Sequence, residues 1–508
     1  MSLIQITDLS FTYDGSYDPV FEHVSFQIDT DWKLGFTGRN GRGKTTFLNL
    51  LMNRFEYKGT IVSSEVFDYF PFPVPDQERE TLEILNELLG DYLFWQLKRE
   101  LSKLQVTEDV LYRPFYTLSN GERTKVLLAA LFLREDHFLL IDEPTNHLDR
   151  EGREVVSQYL SGKKGFILVS HDRKFLDASV DHILSINKTN IEVQKGNFTS
   201  WYENKQRQEQ YERSENERLK KDIRHLEAAA RRSGEWADQV EATKIGKKSM
   251  GMEKSIDTRA YIGEKSRRMQ MRRKNLERRQ EQAVEDKQGL LKNVEEAESL
   301  KLFPLKHRVS RLLTLKDAAP LYDGHEGPVC EPVSLTLEQG QRISLQGKNG
   351  CGKSSILKLI LGDKGPGAPV SYEGSMEIAG GLKISYVSQD TSFLKGSLTE
   401  YGRSSGIEDA LFKALLRKLD FSREQFEKPM ESYSEGQKKK VLIARSLCEQ
   451  AHLYIWDEPL NFIDVYSRIQ IEDLILKFQP TMLLVEHDEA FTDRASTYGV
   501  EVRQAGQW

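Results

Sequence analysis

Two stretches, 309 positions apart, carry the same chemistry. "GRNGRGKTT" and "GKNGCGKSS" both fit G-x-x-x-x-G-K-[ST]. Glycines at this spacing let backbone N–H groups curl around phosphates. The lysine neutralises β and γ charge, and the hydroxyl reaches a magnesium ion. The pattern assigns Gly38, Asn40, Gly41, Gly43, Lys44, Thr45 and Thr46 to one nucleotide loop. It assigns Gly347, Asn349, Gly350, Gly352, Lys353, Ser354 and Ser355 to a second. Further along, "FLLIDE" and "LYIWDE" are apolar runs that end in paired acids. Asp142 and Asp457 would hold Mg2+ with Thr45 and Ser354, and Glu143 and Glu458 would orient or deprotonate an attacking water. A lone motif of either kind is also met as a Gly-rich turn or a loop acid. Two of each, in register, point to two ATP sites.

The elements that must position these residues repeat as well. Each loop follows a predicted strand ("WKLGFTG", "QRISLQG") and opens a predicted helix ("KTTFLNLLM", "KSSILKLIL"). Tyr13 returns as Tyr322 at the same offset of 309. Ser119 of "LSNGER" returns as Ser434 of "YSEGQK", offset 315, and His171 of "LVSHD" returns as His487 of "LVEHD", offset 316. Five stations in one order describe two copies of one α/β domain, 1–195 and 312–508, with a segment 196–311 between them.

"LSNGE" and "YSEGQ" resemble the signature loop of the ABC ATPases. In that superfamily the signature Ser and Gly of one domain bind the γ-phosphate held by the other domain's loop. The resemblance therefore implies a monomer with an intramolecular head-to-tail sandwich. Site one would use Lys44, Thr45, Asp142, Glu143 and His171, completed by Ser434 and Gly436. Site two would use Lys353, Ser354, Asp457, Glu458 and His487, completed by Ser119 and Gly121. His171 and His487 resemble the switch histidines that sense the γ-phosphate, and Tyr13 and Tyr322 the aromatic that stacks on adenine. Gln389 of "KISYVSQD" matches the loop glutamine that reaches Mg2+ and water. Phe72 stands at that position in the first copy, with Gln77 five residues on. The copies are therefore expected to turn over ATP unequally.

The totals exclude several classes. A net charge of -6 is not that of a polybasic nucleic-acid binder. Three widely spaced cysteines argue against a disulfide framework and a Cys-based zinc site. "VLLAALFL" is far short of the roughly 20 apolar residues of a membrane span. The N-terminal "MSLIQITDLS" lacks the pattern of a signal peptide, so the expectation is a cytoplasmic protein.

The segment between the copies is charged and patterned. Leu219, Ile223, Leu226 and Ala230 follow a helical 4-3-4 spacing. Ile262, Met269, Leu276, Ala283, Leu290 and Ala297 recur every seven residues. The pattern predicts an antiparallel helical hairpin, a coiled coil, with "IGKKSMGMEKSIDTRAYIG" at its tip, around 240–263. Residues 241–280 hold 13 Lys and Arg against 5 Asp and Glu. Such a patch is either a solvated helix face or a contact for a phosphate backbone, and Met and Tyr among the bases suit structured RNA. Lys244, Lys247, Lys248, Lys254 and Arg259 are candidate phosphate contacts. Met250, Met252 and Tyr261 are candidates for packing on bases. For each, a solvent-facing turn residue is the alternative.

Two ABC domains, no membrane helix and a charged helical linker together resemble the ABC-F family, which "DEPTNHLD" marks specifically. "DWKLGFTGRNGRGKTT", Phe72 with its Pro-rich run, "WDEPLNFID" and the long tip resemble its Lsa-like group of antibiotic-resistance factors. The resemblance implies binding at the exit site of the bacterial 70S ribosome, with the linker directed at the P-site tRNA, rRNA and the peptidyl transferase centre. It implies protection against lincosamides, pleuromutilins and group A streptogramins. A translation factor that rescues stalled ribosomes and an ABC transporter ATP-binding subunit are the competing readings.

Overall fold

Strands buried on both faces must be apolar along their length, and the acid-bearing runs of both copies are. A computed structural model describes residues 2–15, 18–90, 92–134, 137–187, 190–244, 278, 302–323, 327–362 and 371–506. The first copy runs β1 (Leu3–Phe11), β2 (Phe21–Asp29), β3 (Lys33–Thr37), α1 (Lys44–Leu51), β4 (Lys58–Val62), β5 (Val66–Phe70), α2 (Thr81–Leu89), α3 (Phe94–Lys103), α4 (Asn120–Leu131), β6 (His137–Asp142), α5 (Arg150–Ser161), β7 (Phe166–Val169), α6 (Arg173–Ser179), β8 (His182–Asn187) and β9 (Asn190–Lys195). Its main sheet has the order β5-β6-β7-β3-β8-β9, parallel except for the last pair. An antiparallel sheet, β2-β1-β4, stands beside it. Phe36, Phe47, Phe138, Leu140 and Val169 belong to the core that this copy's strands and α1 share.

The second copy repeats the plan. Its elements are β10 (Arg311–Leu321), β11 (Val333–Glu338), β12 (Arg342–Gln346), α8 (Lys353–Leu361), β13 (Ser371–Ile378), β14 (Ile384–Val387), α9 (Leu398–Ser404), α10 (Asp409–Lys418), α11 (Glu435–Cys448), β15 (Leu453–Asp457), α12 (Val465–Phe478), β16 (Met482–Val485), α13 (Glu489–Ala495) and β17 (Tyr498–Glu501). β14-β15-β16-β12-β17 is all parallel, and β11-β10-β13 antiparallel. In both copies the nucleotide loop leaves the C-terminal end of an inner strand. This is the place where open α/β sheets bind ligands.

The chain divides into two compact units, one holding Met1–Trp201 and Glu298–Trp508, the other Tyr202–Ala297. The first unit contains both copies. Leu302 is buried in the second copy's helical core, and Leu305 N–H donates to Ala451 O.

Ion pairs that α5 and α6 make with α12 and α13 share a sign, whereas Lys348 of the second copy pairs with Glu151 of the first in the opposite sense. Arg150, Arg173 and Lys174 of the first copy meet Glu489, Glu472 and Asp493 of the second. At the positions matching Arg173 and Lys174 the second copy has Glu489 and Ala490. The two ends of this contact are thus complementary rather than identical. Like charges across the axis would repel, and basic against acidic α6 and α13 removes that repulsion.

The helix predicted from Trp201 onward is present. This helix, α7, spans Phe198–Lys244, 47 residues, or about 70 Å at 1.5 Å per residue. Lys244 is its last residue. The other tip candidates (Lys247, Lys248, Met250, Met252, Lys254, Arg259 and Tyr261) and the heptad seam from Ile262 to Ala297 lie outside the described residues.

Candidate nucleotide sites

The glycines of both loops are needed for their backbone. Gly43 and Gly352 adopt φ 95° and 100°, a region that disfavours side chains. A Cβ on Gly43 would stand 2.5 Å from Val20 Cγ1. The lysines fold back on their own loops. Lys44 Nζ donates to Gly38 O at 2.7 Å, and Lys353 Nζ to Gly347 O at 2.8 Å. Both side chains are buried, so each loop holds a cation at its centre before any anion arrives. Tyr13 and Tyr322 are anchored by their hydroxyls, at 2.6 Å to Thr46 Oγ1 and 2.9 Å to Ser355 Oγ. Tyr13 stays 45 % exposed, which suits a ring that receives a base.

Beside each loop stands a hydroxyl–carboxylate pair. Thr45 Oγ1 donates to Asp142 Oδ2 and Ser354 Oγ to Asp457 Oδ1, both at 3.3 Å. These donor sets are all oxygen, as Mg2+ requires, so the residues fit that ion. Bound there with a nucleotide, it would supply charge neutralisation of the phosphates. Burial raises the carboxyl of Asp142, and raises that of Asp457 to about 6. A nearby divalent charge would reverse that shift.

The adjacent glutamates sit in left-handed backbone, φ 49° at Glu143 and 46° at Glu458. Non-glycine residues pay strain there, and such strain gathers at functional sites. Each is pinned by its N–H, which donates at 2.9 Å to Val169 O or Val485 O on the neighbouring strand. The histidines follow: His171 Nε2 lies 3.3 Å from Glu143 Oε1, and His487 Nε2 lies 3.6 Å from Glu458 Oε1. Among the described residues, the buried His487 Nε2 has no hydrogen-bond partner, so it is left to meet a bound group.

Ser119 and Ser434 are N-caps with reciprocal capping boxes, closed by Glu122 and Gln437. The caps leave two helix N-termini, which favour anions. Ser119 and Gly121 line a cavity of about 1380 Å³ together with Lys353, Ser354, Gln389, Glu458 and His487. The expected partners of site two are thus brought together from both copies. At site one the copies touch directly. Arg39 pairs with Asp420, and Asn40 Nδ2 donates to Phe462 O at 2.9 Å. Among the described residues, no hydrogen bond joins Ser434 or Gly436 to the first loop. Gly436 is buried, and a Cβ there would stand 2.5 Å from Phe462 O.

The two glutamates differ electrically. Burial, and then the charge of Asp142, push the Glu143 carboxyl up to about 8. Burial also lowers His171 well below its ordinary value, helped by Lys44 and Arg468. Partial burial acts on Glu458 too, but His487, Lys439 and Gln389 outweigh it and lower its pKa. Gln389 Nε2 and Asn461 Nδ2 donate to its Oε2 at 2.8 and 2.7 Å.

A stability prediction follows from Glu143. Its folded pKa lies above the ordinary carboxylate value, so its contribution is full below about pH 4.5 and is lost as pH rises through about 8. The melting temperature of the nucleotide-free protein should fall between pH 5 and 8, and Glu143→Gln should flatten part of that fall. Parallel pH curves for the two proteins would contradict it.

Motif reading missed several residues. Arg153 and Arg468 close on the acids that follow His171 and His487, Asp172 at 2.8 Å and Asp488 at 2.9 Å. Arg153 also crosses to the other copy, donating to His487 O at 3.2 Å. Lys440 Nζ pairs with buried Asp464 at 2.9 Å. The offset of 315 that joins Asp142 to Asp457 would have found the arginines, because it maps Arg153 onto Arg468.

The ABC transporter family profile matches residues 21–146 and 330–461, one span in each copy. The chain belongs to this family. It is an ABC-F ATPase with two ABC domains, and it resembles the Lsa-like group. The ribosome protection protein VmlR of Bacillus subtilis (strain 168) is 26% identical over 516 residues, which cover 99% of this chain and 87% of that protein. The ABC transporter ATP-binding protein YfmM of the same organism is 26% identical over 547 residues, covering 97% and 96%. Among solved structures, the complex of the archaeal ribosome recycling factor aABCE1 with stalk protein aP1 superposes with a TM-score of 0.61 at 19% identity, covering 98% of this chain and 90% of that one. That likeness is one of fold. No helix among the described residues is long and apolar enough to cross a membrane.

Proposed function

We propose that this ABC-F ATPase protects the bacterial 70S ribosome from antibiotics of the peptidyl transferase centre, namely lincosamides, pleuromutilins and group A streptogramins. It acts in the cytoplasm and binds at the exit site. The linker 196–311 extends toward the P-site tRNA, rRNA and drug site, with the basic tip around 240–263 as its contact. Two ATP molecules with Mg2+ close the copies on each other through the two composite sites, and hydrolysis drives release. The observation that carries this reading is similarity along 99% of the chain to a protein named for ribosome protection. The 47-residue helix leaving the first copy and the basic excess of 241–280 support it.

Expression in a susceptible bacterium is expected to raise the inhibitory concentrations of a lincosamide and a pleuromutilin several-fold. The Glu143→Gln, Glu458→Gln double variant, held with ATP, should co-sediment with 70S ribosomes. Co-sedimentation with unchanged drug sensitivity would favour the stalled-ribosome factor instead. Recovery in membranes without ribosomes would favour the transporter subunit. A tip deletion that keeps ribosome binding and ATP turnover but loses drug protection would assign protection to the tip.

A further inference from the structure

We propose that Tyr69 positions the metal-side carboxylate of site one, in a copy whose loop has no glutamine at the position of Gln389. The proposal rests on the reading of Asp142 as the residue that faces Mg2+. Strand register makes the two copies comparable here. In β5, Tyr69 pairs with Leu140 and Phe70 with Ile141. In β14, Tyr386 pairs with Ile455 and Val387 with Trp456. Two residues beyond each strand end stand Phe72 and Gln389. Gln389 holds Glu458 at 2.8 Å. A phenylalanine offers no such hydrogen bond. Gln77 does not replace it: the residue is exposed, its carbonyl accepts from Tyr116 N–H, and among the described residues its side chain bonds neither Asp142 nor Glu143.

Tyr69, three residues before Phe72, instead supplies a polar contact to the neighbouring Asp142. Its hydroxyl donates to Asp142 Oδ2 at 2.8 Å, on the same oxygen that Thr45 approaches at 3.3 Å. Both donors therefore fall on Oδ2, leaving Oδ1 for a cation. A neutral donor fixes the carboxylate without cancelling the charge that attracts the metal, as an outer partner of a metal ligand should. Arg54 holds the ring, its guanidinium 5.7 Å from the ring centre while it also donates to Asn49 Oδ1 at 3.2 Å. Tyr386 shares Tyr69's register. Among the described residues, the side-chain hydrogen bond to Asp457 comes from Ser354.

The test isolates site one by silencing site two with Lys353→Ala. Binding of a fluorescent ATP analogue is then titrated against Mn2+, and repeated in EDTA. Tyr69→Phe should raise the half-saturating Mn2+ concentration by about 10- to 100-fold, the usual effect of losing an outer partner. Affinity in EDTA should not change, and Tyr386→Phe should leave both values unchanged. A melting curve checks that each variant folds. If Asp142→Asn raises the Mn2+ requirement and Tyr69→Phe does not, the proposal is wrong while the metal reading stands. Equal loss in Mn2+ and in EDTA would make Tyr69 a packing residue and overturn the proposal. An unchanged Mn2+ requirement in Asp142→Asn would remove the metal reading and the proposal with it.

Discussion

Replacing Glu458 by glutamine is expected to lower steady-state ATP turnover by about 100-fold or more at pH 7, the usual contribution of a positioned general base. Glu143→Gln should cost less than about tenfold. That small effect follows from protonation: a carboxyl with a pKa of about 8 is mostly protonated at pH 7 and already resembles an amide. Glu458 is ionised, and Gln389 and Asn461 both hold its Oε2, so Oε1 is left beside His487 to take a proton from water. Raising the pH to about 9 should ionise Glu143 and narrow the difference between the variants. Phosphate release at saturating ATP and Mg2+ measures both. Equal losses at pH 7 would show that the asymmetry does not survive nucleotide binding.

The largest stability effect is expected from Arg468. Its Nε donates to Ile463 O, one NH2 group to Leu460 O and the other to Asp488 Oδ2, at 2.9, 3.0 and 2.9 Å. Both partners of the ion pair are buried, with side-chain exposures of 7% and 1%. Arg468→Met fills the space but leaves the buried Asp488 carboxylate without its counter-ion and takes one donor each from Ile463 O and Leu460 O. Breaking a buried pair in this way costs about 3–5 kcal/mol. Asp488 caps α13 through Phe491 N–H at 3.0 Å, so the loss should spread to the contact between the copies. Urea unfolding should show a markedly lower midpoint. Arg503→Gln breaks the solvent-exposed pair with Glu501 and should leave the midpoint unmoved. If the two variants behave alike, the buried network contributes nothing special.

Local demands made much of this protein legible from sequence. A loop whose backbone must turn through positive φ needs glycine, as at Gly43 and Gly352. A helix N-terminus with unpaired N–H groups favours a capping hydroxyl, as at Ser119 and Ser434. A strand buried on both faces needs the run that precedes Asp142. These requirements act within a few residues, so the chain displays them twice, at offsets of 309 to 316. The α/β fold, the paired copies, the nucleotide loops and the first arm of the linker were all readable on that basis.

Tertiary structure alone decided the balance of charge. Whether Glu143 carries a proton depends on its burial and on Asp142, Lys44 and Arg468, the last 325 positions away. That Tyr69 reaches Asp142 depends on the pairing of β5 with β6 and on Arg54 above its ring. That basic α6 meets acidic α13 depends on how the copies dock. Electrostatic energies scale with distance and local dielectric, and a sequence states neither. It names the groups that do the chemistry, and the folded chain sets the charge each one carries.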